Sequence, residues 1–362
     1  EDFPEENANE LLSEQEFQKF VKQYIHVNKK SKPKAVSFST RMMGLNLGLE
    51  KAGFEIILTS ENEPVFIETI QRNNPNIKII KDFKNHSPED IKTIAGLNEN
   101  DDIELMIGEL PYQSFSLYNK NQDLKNDRNN LHLPFLNKLI KLNPKYLVLI
   151  NYKGLLSLDK GKALFNIIKI LENLDYKVSF NTYNTANFGA PQKKERVIII
   201  CNRDSGKSAC LIPTHSKNGE FNLSKWKTLR ESIGNLEIDN HLFIPFSEKK
   251  LSYYKYLKPG QSWKDLPKEV KKNISRPLLS IKRPDWDSPI SLSPYPYILV
   301  HPEKNRPLSI QEYKRIQEFP DNWLLSGKIS QQYRQITSCL PSSLGKEIGE
   351  MILRDINKLE NT

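Results

Sequence analysis

The feature that most restricts this chain is a rhythm. Between Ala35 and Asn202 seven short runs recur, AVSF, EIILTS, IKII, ELMIGEL, YLVLI, KVSFNTYN and RVIIICN, most of them separated by segments of helical periodicity. Strands that read as near-continuous hydrocarbon are buried on both faces, and parallel neighbours need a crossover that a helix supplies. The alternation therefore predicts an α/β fold, a mostly parallel sheet wrapped by helices, over residues 34–205.

The flanks read differently. Within residues 8–25, Leu11, Leu12, Phe17, Phe20, Val21 and Tyr24 fall at helical spacing, and Lys29, Lys30, Lys32 and Lys34 follow, so 1–33 is expected to be a helix and basic tether. Over 206–305 the rhythm breaks, with 17 Lys+Arg against 10 Asp+Glu and interleaved prolines and aromatics. That composition predicts a smaller, irregular basic domain. Helical periodicity resumes in SIQEYKRIQEFP, and over 306–362 the chain is expected to return to the large domain through SSLGKEIGEMILRDINKL.

The 53 Lys+Arg against 44 Asp+Glu leave a formal charge of +9, which suits a polyanion such as DNA. There is no run of eighteen apolar residues and no basic leader, so no membrane partner is expected. Cys201, Cys210 and Cys339 lack the spacing of a zinc site or a disulfide framework, and no histidines pair at ligand spacing. The expectation is a cytoplasmic protein without a metal, associated with the nucleoid if it binds DNA. Tyr253, Tyr254, Trp263 and Trp286 are expected to be packing residues rather than base-stacking platforms.

Four stretches, GLNLGLEKAGFE, PYQSFS, YNTANFGAPQKKERVIII and RPLSIQEYKRIQEFPDNW, occur in an order that resembles the DNA cytosine-5 methyltransferases of bacterial restriction-modification systems. The likeness runs from about Ala35 to about Ile356. It implies an S-adenosylmethionine-dependent methyltransferase fold, a Rossmann-like sheet domain joined to a target-recognition-like domain. S-adenosylmethionine would be the cofactor and DNA the partner.

At the positions that carry the chemistry, the sequence departs from the family. A glycine-rich turn lets backbone approach the cofactor, yet here Arg41 stands at the first glycine, and Phe38 is one position away from the aromatic that covers adenine. Glu61 matches the ribose-binding carboxylate and Asp82 the adenine contact. The catalytic loop reads Gly108-Glu109-Leu110-Pro111-Tyr112-Gln113-Ser114-Phe115-Ser116, with Tyr112 in place of the nucleophilic cysteine. A phenol, of ordinary pKa about 10, is a poorer nucleophile than a thiol and fills the space of a flipped base.

The base-reading glutamate is Ile150, followed by the retained Asn151. The Gln-x-Arg-x-Arg motif persists as Gln192, Lys194 and Arg196, and the C-terminal Gly-Asn pair is Thr337-Ser338, which puts Cys339 at a small core position. Lys282-Arg283 opens the lead-in after the target-recognition region.

These departures predict a catalytically inactive relative that binds no methyl donor. It is expected to hold DNA through Ser116, Lys193, Lys194, Arg196, Lys282 and Arg283, or to pair with an active methyltransferase or restriction nuclease. Two alternatives stay open: an active enzyme with altered base or cofactor chemistry, and a protein-only scaffold.

Overall fold

A computed structural model describes residues 32–39, 41–81, 83–98, 101–110, 132–203, 209–237, 241–272 and 281–360. The N-terminal helix expected over 8–25, and the positions of Asp82, Tyr112 and Ser116, lie outside the described residues. Residues Lys34–Thr362 form one compact unit.

The predicted runs become strands β1 (Lys34–Phe38), β2 (Glu55–Ser60), β3 (Ile79–Ile80), β4 (Leu105–Glu109), β5 (Tyr146–Asn151), β6 (Lys177–Asn184) and β7 (Glu195–Asn202). They make one sheet in the order β3-β2-β1-β4-β5-β7-β6. All pairs are parallel except those of β7, which runs antiparallel to both β5 and β6. The strand order reverses between β1 and β4, the place where such sheets open a crevice at their carboxyl edge.

The helices are α1 (Gly44–Ala52), α2 (Pro64–Asn73), α3 (Pro88–Ala95), α4 (His132–Lys141), α5 (Lys162–Glu172), α6 (Leu229–Ile233), α7 (Glu248–Tyr254), α8 (Lys268–Lys272), α9 (Ile310–Ile316), α10 (Ile329–Ser338) and α11 (Ser342–Glu360). Side chains alternate across the sheet. Val36, Met106, Leu147 and Leu149 enter one apolar cluster, while Ala35, Ile107, Val148 and Ile150 enter another with Leu344, Ile348 and Ile352 of α11. Helices α1 and α11 touch backbone to backbone: a Cβ on Gly48 would lie 2.0 Å from the Ser342 oxygen, and one on Gly345 2.2 Å from the Leu45 oxygen.

The C-terminal segments are tied to the first turn of the fold. Met42 and Phe66 share a cluster with Trp286, Tyr313, Phe319, Tyr333 and Cys339. The start of α9 is written in the sequence as Ser309-x-x-Glu312, and the structure forms that capping box. Tyr253, Tyr254 and Trp286 are buried, as packing residues should be. No helix among the described residues is long and apolar enough to cross a membrane.

Candidate functional site

The carboxyl edge of the sheet gathers most of the candidate residues. Ser39 follows β1 and donates its amide to the Ser60 oxygen at 3.0 Å, which sets Arg41 and Glu61 on adjacent exits. Ser39, Arg41 and Met43 all have left-handed backbones, with φ of 51°, 60° and 73°. The turn thus keeps a glycine-like path in L-residues, at a cost on the order of 1 kcal/mol each.

Glu61 is buried, and its Oε1 accepts from the amides of Asn62 and Glu63 at 2.9 and 3.1 Å. Its Oε2 has no hydrogen-bond partner among the described residues. Burial raises the Glu61 pKa, opposed by the Glu63 amide and by the charge of Arg41.

Ile150, the penultimate residue of β5, is fully buried and paired to Glu109 on β4 and Ile198 on β7. Its side chain lies in an apolar cluster, so the position that the resemblance gave to a base-reading acid is part of the core. Beside it, Asn151 turns its Oδ1 onto the Tyr152 amide at 2.7 Å.

Gln192, Lys194 and Arg196 come together but face inward. Gln192 Nε2 donates to Gln317 Oε1 at 2.6 Å, and Gln317 Nε2 donates to the Cys339 oxygen at 2.7 Å. Lys194 Nζ donates to the oxygens of Thr337 and Cys339 at 2.7 and 2.5 Å. Burial, followed by the Arg196 charge and then that of Arg41, lowers its pKa to about 7. The Arg196 guanidinium is buried 3.9 Å over the Tyr152 ring and donates to the Glu195 oxygen.

The residues at the Gly-Asn positions turn their hydroxyl protons back onto their own helix. The Thr337 hydroxyl donates back to the Tyr333 and Arg334 oxygens at 2.8 and 3.2 Å, and the Ser338 hydroxyl to the Gln335 oxygen at 2.8 Å. Both are spent on the last turn of α10.

Two DNA-contact candidates share a surface. Lys193 and Lys282 are exposed and line one groove of about 400 Å³. Arg283 is corrected by the structure. It is 4% exposed, and its guanidinium donates to the oxygens of Tyr254, His301, Pro302 and Lys304 and to Asn305 Oδ1. Both terminal nitrogens of the buried fork are taken by these acceptors, so Arg283 pins the 301–305 loop ahead of α9 to the end of α7 instead of facing a phosphate. Lys194 is likewise turned onto the carbonyls of Thr337 and Cys339, and Arg196 is buried against Tyr152, so neither side chain is presented at the surface.

Sequence reasoning passed over Glu109. It ends β4 buried at 6% exposure, and its charge acts on both Lys194 and the Cys339 thiol. The signal was present, since an acid closing the buried run LMIGE needs a cation nearby.

Residues 34–354 match the family described as C-5 cytosine-specific DNA methylase. The chain belongs to that family. The type II methyltransferase M.Sau96I of Staphylococcus aureus is 32% identical over 331 residues, covering 87% of this chain and 74% of that protein. M.NgoFVII of Neisseria gonorrhoeae, also a type II methyltransferase, is 31% identical, over 92% of this chain and 90% of its own length. A prophage-encoded DNA modification methyltransferase of Escherichia coli has the same fold, with a TM-score of 0.69 at 18% identity over 91% of this chain and 99% of that one. Dnmt2 of S. pombe overlays with a TM-score of 0.62 at 13% identity, over 90% and 100%. The sheet domain is thus the Rossmann-like methyltransferase fold that the resemblance implied.

Tested against S-adenosylmethionine, this methylase-family crevice fits one end only. Glu61, with a free lone pair on a buried oxygen, suits a ribose hydroxyl. The other end does not fit: Arg41 puts a long cation where glycine admits the ligand, and the Thr337 and Ser338 hydroxyls point back into α10.

Proposed function

We propose that this methylase-family chain has given up methyl transfer and works as a DNA-binding recognition or regulatory partner of an active methyltransferase or restriction nuclease. The observation that carries the reading is Ile150. Isoleucine neither donates nor accepts a hydrogen bond, and its burial in the apolar cluster leaves no polar group to read a cytosine at that position. Tyr112 in place of a thiol removes the nucleophile that must add to the base ring, and Arg41 excludes the donor's methionine end. Losses in both halves of one reaction act as a unit.

DNA binding is supported by the formal charge of +9 and by the shared groove of Lys193 and Lys282. A methyl-transfer assay with labelled S-adenosylmethionine and mixed duplex DNA tests the first half, with no incorporation expected. Duplex affinity measured against salt tests the second, and a steep fall is expected because phosphate contacts release counterions. Incorporated label would overturn the loss of chemistry, and a flat salt response would leave a protein scaffold. Purification from the native cell identifies the partner.

One observation favours a second reading, an active enzyme with altered chemistry. Glu61 keeps an unsatisfied buried oxygen, which is half of a nucleoside site. Calorimetric binding of S-adenosylmethionine at micromolar concentration would favour that reading.

A further inference from the structure

A second groove shares no lining residue with the groove of Lys193 and Lys282. It encloses about 540 Å³ and is lined by Tyr295, Tyr297, Pro245, Lys250 and Arg334. Tyr295 is 56% exposed, and its ring centroid lies 5.7 Å from that of Tyr297, with 36° between the planes. Lys250 Nζ stands 4.4 Å over the Tyr297 ring.

This surface is built rather than frayed. Pro294 and Pro296 flank Tyr295 and fix the backbone on either side of it. The Tyr295 amide donates to Ser293 Oγ at 3.1 Å, and the Tyr254 hydroxyl donates to the Tyr297 oxygen. Arg334 is placed by Glu63 Oε2 at 2.5 Å and lies 5.6 Å over the Phe66 ring.

The groove and the Lys194 contact share helix α10. Arg334 sits one turn of α10 before Thr337, whose oxygen holds Lys194.

Flat π faces beside cations suit a ligand with aromatic rings and negative charge at alternate positions. That is the chemistry of a nucleic-acid strand with unpaired bases. A proline-rich peptide would also find tyrosines and prolines here, but it makes no use of Lys250 and Arg334. We propose that the Tyr295 and Tyr297 groove stacks an unpaired nucleobase of a DNA strand, with Lys250 and Arg334 meeting the flanking phosphates. The inference rests on the DNA-binding reading above and adds a site to it.

Fluorescence anisotropy on the full chain, with a labelled single strand of roughly 20 nucleotides and the matching duplex, tests it. Tyr295→Ala is expected to weaken single-strand binding by about 5-fold or more, and Tyr295→Phe to retain it. Lys250→Ala is expected to reduce the single-strand salt slope by about 0.7. Tyr256→Ala, at an exposed tyrosine outside the groove, is expected to change nothing. Wild-type duplex binding together with unchanged single-strand affinity in Tyr295→Ala would overturn the stacking site and leave the DNA-binding reading standing. Binding of neither DNA form would overturn both. Capture of a proline-rich peptide without the single strand would reassign the groove.

Discussion

The ammonium nitrogen of Lys194 lies 2.5 Å from the carbonyl oxygen of Cys339 and donates to it. That contact joins the residue just before β7 to the turn between α10 and α11. It also makes the fold sensitive to pH.

Lys194 has a folded pKa of about 7, lowered chiefly by burial, against about 10.4 for an unfolded lysine. Between those values the unfolded chain holds the extra proton, so this group makes stability rise with pH from about 7 toward 10. Below about 7 the cost of burying its charge is fully present. Lys194→Met removes the titration. Urea midpoints at pH 6.5 and 9 should show wild type gaining on the variant at the higher pH, and a constant difference between them would refute the assignment.

Ile150→Glu alone should destabilise the protein, because it places a carboxylate among hydrocarbon neighbours of β5 and β7. The expected loss is on the order of 3 kcal/mol in chemical denaturation. The same substitution combined with Tyr112→Cys, Arg41→Gly, Thr337→Gly and Ser338→Asn is expected to recover measurable cytosine methylation. A well-tolerated single glutamate would mean that the position faces solvent after all.

Lys282 and Arg283 are adjacent, yet their loss should read out differently. Arg283→Lys leaves most of five acceptors without a donor and is expected to lower stability by roughly 3 kcal/mol with the DNA salt slope unchanged. Lys282→Ala should leave stability alone and reduce the duplex salt slope by about 0.9. Paired thermal melts and salt titrations decide the matter, and an exchange of the two phenotypes would reverse the assignment.

Acid should loosen the base of α9. Burial lowers the pKa of His301 to about 4, and its ring sits 3.5 Å from Glu312, whose carboxylate takes a forked pair from Arg306 at 2.6 and 2.8 Å. The unfolded chain protonates this histidine near 6.5, so stability is intact above that pH and is lost as pH falls toward 4. At about 1.4 kcal/mol per unit the loss is on the order of 3 kcal/mol. Glu312, whose pKa is lowered in the fold despite its burial, adds to the loss only at lower pH. His301→Asn should flatten the decline in melting temperature between pH 7 and 5, and an unchanged slope would rule out this histidine as its source.

The sheet was legible because its signal is local. Seven runs of the right length and character became seven strands, and Ser309-x-x-Glu312 became a helix start. The departures at Arg41 and Ile150 were legible too, since a side chain's identity needs no fold to be read. Glu109 was passed over because a lone acid at a strand end carries meaning only beside the cation across the crevice. Arg283 was misjudged for the complementary reason: a basic residue in a basic segment looks like a phosphate contact until its acceptors are known.

The sequence by itself determined the alternation of strands and helices of a methyltransferase fold and which chemical groups stand at each position, because both depend on composition and local pattern; the strand order came only with the structure. Only the tertiary structure decided which of those groups remain available. Lys194 finds its acceptors 143 and 145 residues away, and Arg283 finds most of its own 18 to 29 residues away. Hydrogen-bond capacity is spent on whatever carbonyls the fold brings near. The same spatial packing turned Ile150 into core, left Glu61 with a vacant lone pair, and set Tyr295 beside Tyr297 in a groove.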